Sequence, residues 1–219
     1  MVLFQKQTTQ AKGKYLKKQI NLKFLTLLFL AIFFSENLVG EELNSKISKY
    51  LQGLNSFSSS FIQSNGMDLE QGNIYIKDDV IRLDYANPDR TLKISKEKGV
   101  YINHELREEE FFSTKKNIIK LFYDIFLQNN FFSSLTPKKQ TREIVFEKTI
   151  KSESTKFHLK IFFEDSPLLL RKIVSKTEND FISISFHDHN YNRAFEEGFF
   201  SFVPIYLDWL SLNKHYYFC

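Results

Sequence analysis

His187 and His189 stand two residues apart in the run FHDHN, so on a strand both imidazoles share one face with Asp188 between them in sequence. Such a pair is the start of a metal site. No cysteine can join it, because the one Cys is Cys219, and the other histidines are scattered singly. A polar strand end running into a turn at Asn190 accounts for the run better. Glu108, Glu109 and Glu110, in ELREEEFF, are three consecutive carboxylates. On a strand they alternate in direction and cannot converge on one point, so a solvated loop or sheet edge is expected. No Gly-rich phosphate loop, Gly-x-Ser-x-Gly elbow or His-Glu-x-x-His occurs, and seven glycines supply little backbone for cradles. The residues therefore point away from an enzyme, a metal and a cofactor. A convergent polar cluster inside a cavity would be the sign of an enzyme instead.

The elements around these residues follow from the periods of the apolar positions. Ile47, Tyr50, Leu51, Leu54, Phe57 and Phe61 recur at helical spacing. The period then becomes two. Ile74 and Ile76 share a strand face, Asp78-Asp79 offers a turn, and Ile81, Leu83 and Tyr85 line the same kind of face with Arg82 and Asp84 turned away to water or a strand neighbour. Asn87-Pro88 breaks the chain, Leu92 and Ile94 mark a third strand, Lys98-Gly99 turns it, and Val100 and Ile102 begin a fourth. Four strands on short turns predict an antiparallel meander. A helix capped by Ser113 or Thr114 follows, and from Glu143 the two-residue period returns through Phe157, Leu159, Ile161 and Phe163, Leu168 and Leu170, then Ile182, Ile184 and Phe186. A last short strand is expected at FFSFVP, ending at Pro204. The order predicts an α+β fold, mainly β: one large antiparallel sheet, curled, with helices covering one side.

Phenylalanine is in excess, at 24 residues against one Trp. Most of these fill a core. The helix over 114–128 is different, because Ile118, Ile119, Leu121, Phe122, Tyr123, Ile125, Phe126 and Leu127 surround most of its circumference. A helix lying on a sheet needs only an apolar stripe. One that is apolar nearly all round faces a second core surface, a partner or a ligand.

The first 40 residues are set apart by charge. They hold six lysines and Glu36, a net of +5, followed from Phe24 to Phe34 by the apolar run FLTLLFLAIFF. A basic segment, a run too short for a comfortable span and the small residue Gly40 ahead of EELNSK read as a secretory signal over residues 1–40. Leu38 is a poor residue three before that cut, and an uncleaved membrane anchor is the alternative. The whole chain carries +4, which leaves −1 for residues 41–219. With no basic excess there, nucleic acid is not an expected partner. Cys219 allows no internal disulfide, so an exported domain must rest on its core.

The series L-x-x-L-x-S-F-S-S-S-F-I-Q at 51–63, GNIYIK at 72–77, Arg82-x-x-Tyr85, Pro88, LKIS and Gly99-Val100-Tyr101, then FHLKIFFEDSPLLLRKIV, ISISFHDHNYN and FFSFVP, resembles the LolA family of periplasmic lipoprotein carriers. The resemblance runs over about residues 43 to 204. It implies an unclosed antiparallel β-barrel with helices as its lid, a lipoprotein-binding domain over 41–204 and a C-terminal tail over 205–219. It further implies a monomeric carrier without catalysis or cofactor that takes lipoproteins through the periplasm from inner to outer membrane. Its partners would be the acyl chains of lipoproteins, an inner-membrane ABC transporter of the LolCDE kind and an outer-membrane receptor. A lipoprotein sensor or membrane-anchored acceptor on the same half-barrel is the alternative. The chain departs from the family pattern at Asp78-Asp79, where a basic residue that tethers the lid and a proline are usual, at Lys98, and in its Phe-rich lid helix. The physics of the residues agrees. An acyl chain in water costs roughly 0.8 kcal/mol per CH₂, so a carrier needs a dry surface. Ile74, Ile76, Ile81, Leu83, Tyr85, Leu92 and Ile94 are expected to form one wall of it, and Ile118, Phe122, Ile125 and Phe126 the other.

Overall fold

The computed structural model describes residues 40–115, 118–128, 130–152 and 155–206. The expected signal over residues 1–39, and the tail from residue 207 with Cys219, lie outside the described residues. The chain divides into two compact units, Met1–Leu43 and Asn44–Cys219. Of the first, residues 40–43 are described, and they are helical.

The second unit opens with helix α1, residues 44–52. Strands β1 (Phe57–Ser64), β2 (Leu69–Lys77), β3 (Val80–Ala86), β4 (Asp89–Ile94), β5 (Lys98–Asn103) and β6 (Glu108–Ser113) follow, then helix α2 (Ile118–Leu127). The remainder is β7 (Lys138–Lys139), β8 (Glu143–Ser152), β9 (Thr155–Asp165), β10 (Leu168–Lys176) and β11 (Phe181–Asn190). All eleven form one sheet in the order β6-β5-β4-β3-β2-β1-β11-β10-β9-β8-β7, antiparallel throughout. The β1–β11 pairing joins the two runs of hairpins into one surface. β6 and β7 are its edges, so the barrel does not close. Both edges are guarded by charge, three glutamates on β6 and two lysines on β7.

The inner face is the core. Ile74, Ile76 and Ile81 are fully buried on it, beside Phe61, Ile161 and Phe163. Beyond α2, Phe132 sits edge-on to Phe146 at 4.9 Å and to Phe163 at 5.7 Å. The α1 residues Ile47 and Leu51 are buried, and Tyr50 stands edge-on to Phe163 at 6.1 Å while its hydroxyl accepts the Leu170 N–H at 3.1 Å. Much of the phenylalanine excess is used here, where rings meet at their edges.

Several expectations are corrected. Phe57 and Phe61 belong to β1, not to the first helix. The Gly53 N–H bonds back to the Lys49 and Tyr50 carbonyls, Ser56 takes φ +63°, and Phe57, Ser59 and Phe61 are then buried at period two. The apolar spacing served both periods, and the serines decided for a strand. Thr114 does not cap α2; it is buried, and its hydroxyl donates to the Ser95 carbonyl at 3.0 Å. The turn between β4 and β5 falls at Ser95–Glu97, before Lys98. FFSFVP is not a strand but part of an irregular strap over residues 193–206.

Of the two expectations for Arg82 and Asp84, water or a strand neighbour, Asp84 meets the second, accepting from Thr91 Oγ1 on β4 at 2.8 Å. The strap excludes the first for Arg82. It covers the outer face of β2 to β6. Arg82 donates through Nη1 to the Phe199 carbonyl at 2.7 Å, lies 3.9 Å from that ring's centroid, and pairs with Asp84 at 2.8 Å. Lys93 is buried and donates to the Ser201 carbonyl at 2.6 Å, and burial lowers its pKa. Glu109 Oε1 accepts the N–H groups of Ile205 and Tyr206. Tyr75, Val100 and Ile102 are buried on this same face. Arg82→Ala is therefore expected to destabilise by about 1–3 kcal/mol, because it leaves a covered carbonyl without its charged donor. Urea unfolding of the variant measures it; a change under about 0.5 kcal/mol, as at an exposed surface site, would show that the strap is held elsewhere.

Candidate functional site

Helix α2 lies on the inner face with Phe122 pointing at the sheet between two apolar pockets. The larger, about 140 Å³, is lined by Leu83, Tyr85, Leu92, Ile94, Ile119 and Phe122, with Gln63, Ile182 and Ile184. The smaller, about 50 Å³, lies on the other side of Phe122 among Leu121, Ile125, Leu159, Ile173, Ser175, Ile182 and Ile184. Phe122, Ile182 and Ile184 line both, so one side chain from the helix and two from β11 form the partition. The helix can present residues to both pockets because it is apolar on more than a stripe.

The larger pocket ends in a polar cluster. The Tyr85 hydroxyl donates to Gln63 Oε1 at 3.2 Å, and Gln63 Nε2 donates to Glu70 Oε2 at 3.2 Å. Glu70 pairs with Arg90, whose guanidinium lies over the Tyr85 ring at 4.4 Å. Burial pushes the Tyr85 phenol up to about 12. Arg90 Nε is buried there without a hydrogen-bond partner, and among the described residues no nucleophile–base pair is aimed into the pocket. Among the described residues no three His, Cys, Asp or Glu side chains converge as a metal site. His189 contacts the Leu170 carbonyl at 3.0 Å and packs edge-on against Phe57, and burial holds its pKa below the usual histidine range. Such an arrangement can bind apolar matter.

Six of the expected wall residues line the pockets: Leu83, Tyr85, Leu92, Ile94, Phe122 and Ile125. Ile74, Ile76 and Ile81 are fully buried core beneath the same face and line neither. Phe126 is packed against Phe122 at 5.0 Å and Phe186 at 5.8 Å, also outside both. Ile118 opens the helix, and its side chain lies outside the described residues. Gln63, Ile182 and Ile184 were not foreseen as wall. The alternation of β11 was visible, but its place under α2 depends on pairing with β1.

No family model matches the chain, and no curated protein matches it by sequence. Among solved structures it is similar to an uncharacterised conserved protein of Thermus thermophilus, with TM-score 0.48 and 7% identity over 69% of this chain and 89% of the other. It is also similar to MucB in complex with MucA(peri), TM-score 0.39, 11% identity and 72% of this chain, and to the Pseudomonas aeruginosa MucA/MucB complex, TM-score 0.40, 12% identity and 69% of this chain. The chain spans 57% and 59% of the matched chains in these two. The likeness is weak. No helix among the described residues is long and apolar enough to cross a membrane.

Proposed function

We propose that the chain is a periplasmic carrier of the LolA type, which shields the acyl chains of lipoproteins beneath α2 and moves them from inner to outer membrane. The observation that carries this reading is the pair of apolar pockets beneath α2, divided by Phe122. The two volumes together are small for several acyl chains, so cargo enters by displacing α2 or the Phe122 ring, and the helix acts as lid. Cargo leaves when an acceptor binds it more favourably than the carrier does. An inner-membrane ABC transporter as donor and an outer-membrane receptor as acceptor complete the route, and residues 1–40 direct export.

The test is saturable binding of a fluorescent acyl probe to the purified protein, with mass spectrometry of lipid or lipoprotein recovered with it from a Gram-negative host. Expected are one displaceable class of probe site and co-purified acylated species. A folded protein that neither binds the probe nor brings acylated material with it overturns the reading.

A further inference from the structure

The end of the sheet that carries the β1–β2 and β10–β11 turns holds apolar side chains that nothing among the described residues covers. Met67 is 90% exposed, Leu69 75%, Ile62 43% and Phe181 38%. The pairings place Ile62, Leu69 and Phe181 on the outer face and Met67 at the tip. The two hairpins are neighbours, since Ser64 pairs with Ser183 beside both turns.

These side chains are held out by ordered turns. Asn65 Oδ1 accepts the N–H groups of Met67 at 2.9 Å and Asp68 at 2.8 Å, and Gly66 takes φ +94°. In the second hairpin the Thr177 N–H donates to the Asp180 carbonyl and the Asp180 N–H to Thr177 Oγ1, both at 2.8 Å. A large apolar side chain fixed in water at a turn tip is opposed by the hydrophobic effect unless something meets it.

The charges beside the tips favour one partner. Lys176 lies directly opposite Phe181, and Lys172, Lys160, His158 and Lys156 continue the same outer face across β10 and β9. Glu147 on that face is held by Lys138 and Lys160. The acids at the tips are Asp68, which accepts from Asn65, Asp180, which accepts from Thr177, and the exposed Glu178. Ile182, next to Phe181, is 36% exposed and lines both apolar pockets, so the protruding end is also the pocket mouth.

We propose that this lip docks on a phospholipid bilayer, with Met67, Leu69 and Phe181 entering its apolar layer and the lysines of β9 and β10 meeting anionic headgroups. A bilayer accepts protruding side chains without offering a matching cavity, whereas a protein partner needs complementary shape. Lysines beside an apolar insert add attraction to an anionic surface. The consequence for cargo, that acyl chains pass between bilayer and pocket at Ile182, rests on the carrier reading; the docking itself does not.

The test uses the full chain with Cys219→Ser, carrying Met67→Cys labelled with a polarity-sensitive fluorophore. A second protein carries the label at Asp79→Cys, on the β2–β3 turn at the opposite end. Vesicles of phosphatidylcholine with and without phosphatidylglycerol, bearing acyl-chain spin labels, are the probe. Expected are a blue shift and quenching at position 67 and neither at 79. Leu69→Asp should weaken the position-67 response about tenfold, and Lys172→Glu with Lys176→Glu should remove the preference for phosphatidylglycerol. No quenching at 67, or equal quenching at both positions, overturns the proposal. Acyl-probe binding in the same proteins separates the two readings. Retained probe binding with an unquenched 67 sinks the lip alone, and lost probe binding with a quenched 67 sinks the carrier alone.

Discussion

Gly72→Ala is expected to destabilise the fold by about 3–5 kcal/mol, at the upper end for a single methyl. A Cβ at this position would stand 2.1 Å from the Asp84 carbonyl oxygen and 2.9 Å from Phe61 Cζ. The first of these is backbone of β3, one residue from Tyr85, which lies directly across the ladder from Gly72, and it cannot turn aside as a side chain can. Phe61 is fully buried and stands edge-on to Tyr85 at 5.1 Å, so the ring has no free direction either. Gly99→Ala is the comparison. The three atoms nearest its Cβ would all belong to the Phe112 ring, the first at 2.3 Å, and Phe112 lies half-buried on the edge strand β6, where it can swing outward at a much smaller cost. Urea midpoints of the two variants test the difference. Equal losses, or a Gly72 loss below about 1 kcal/mol, would show that the β2–β3 spacing relaxes.

Phe122→Asp is expected to leave the domain folded and to weaken acyl-probe binding at least about tenfold at neutral pH. Phe122 is only half-buried and borders empty space on two sides, so its loss removes less packing than loss of a core ring. A carboxylate there either stays hydrated, which wets both pockets, or enters a dry wall unpaired, which is strongly disfavoured. Burial would raise its pKa, so probe binding should recover as the pH falls and the group becomes neutral. Phe126→Asp makes a useful contrast. That ring is 3% exposed and packed against Phe122 and Phe186, so its replacement should unfold the protein rather than empty it. Unchanged probe binding in folded Phe122→Asp would remove α2 from the site.

The sheet was legible in the sequence because Ile74, Ile76, Ile81 and Leu83 recur at period two on one buried face. The segment around Phe57 and Phe61 was not, since four apolar residues three or four apart also fit an amphipathic helix until the Gly53 turn divides them. Leu83, Tyr85, Leu92 and Ile94 in the pocket wall followed from the same alternation. Ile182 and Ile184 come from β11, and no local pattern states that β11 lies beside β1. Arg82 misled for a related reason. Alternation tells which face a side chain takes, but a covering segment more than a hundred residues away decides whether that face meets water.

The strap over residues 193–206 grips β3 through Arg82, β4 through Lys93 and β6 through Glu109, three strands of one half of the sheet. It works as a splint. Strands bound across their backs cannot change their mutual twist without breaking charged hydrogen bonds to the strap's carbonyls and amides. The other half, β8 to β10, has lysines and solvent behind it and no such brace among the described residues. Deformation under load falls on the compliant half. If the space beneath α2 is to widen, β3 and β4 are the fixed jaw, and the floor at Leu159 and Ile173, on β9 and β10, is the part expected to yield.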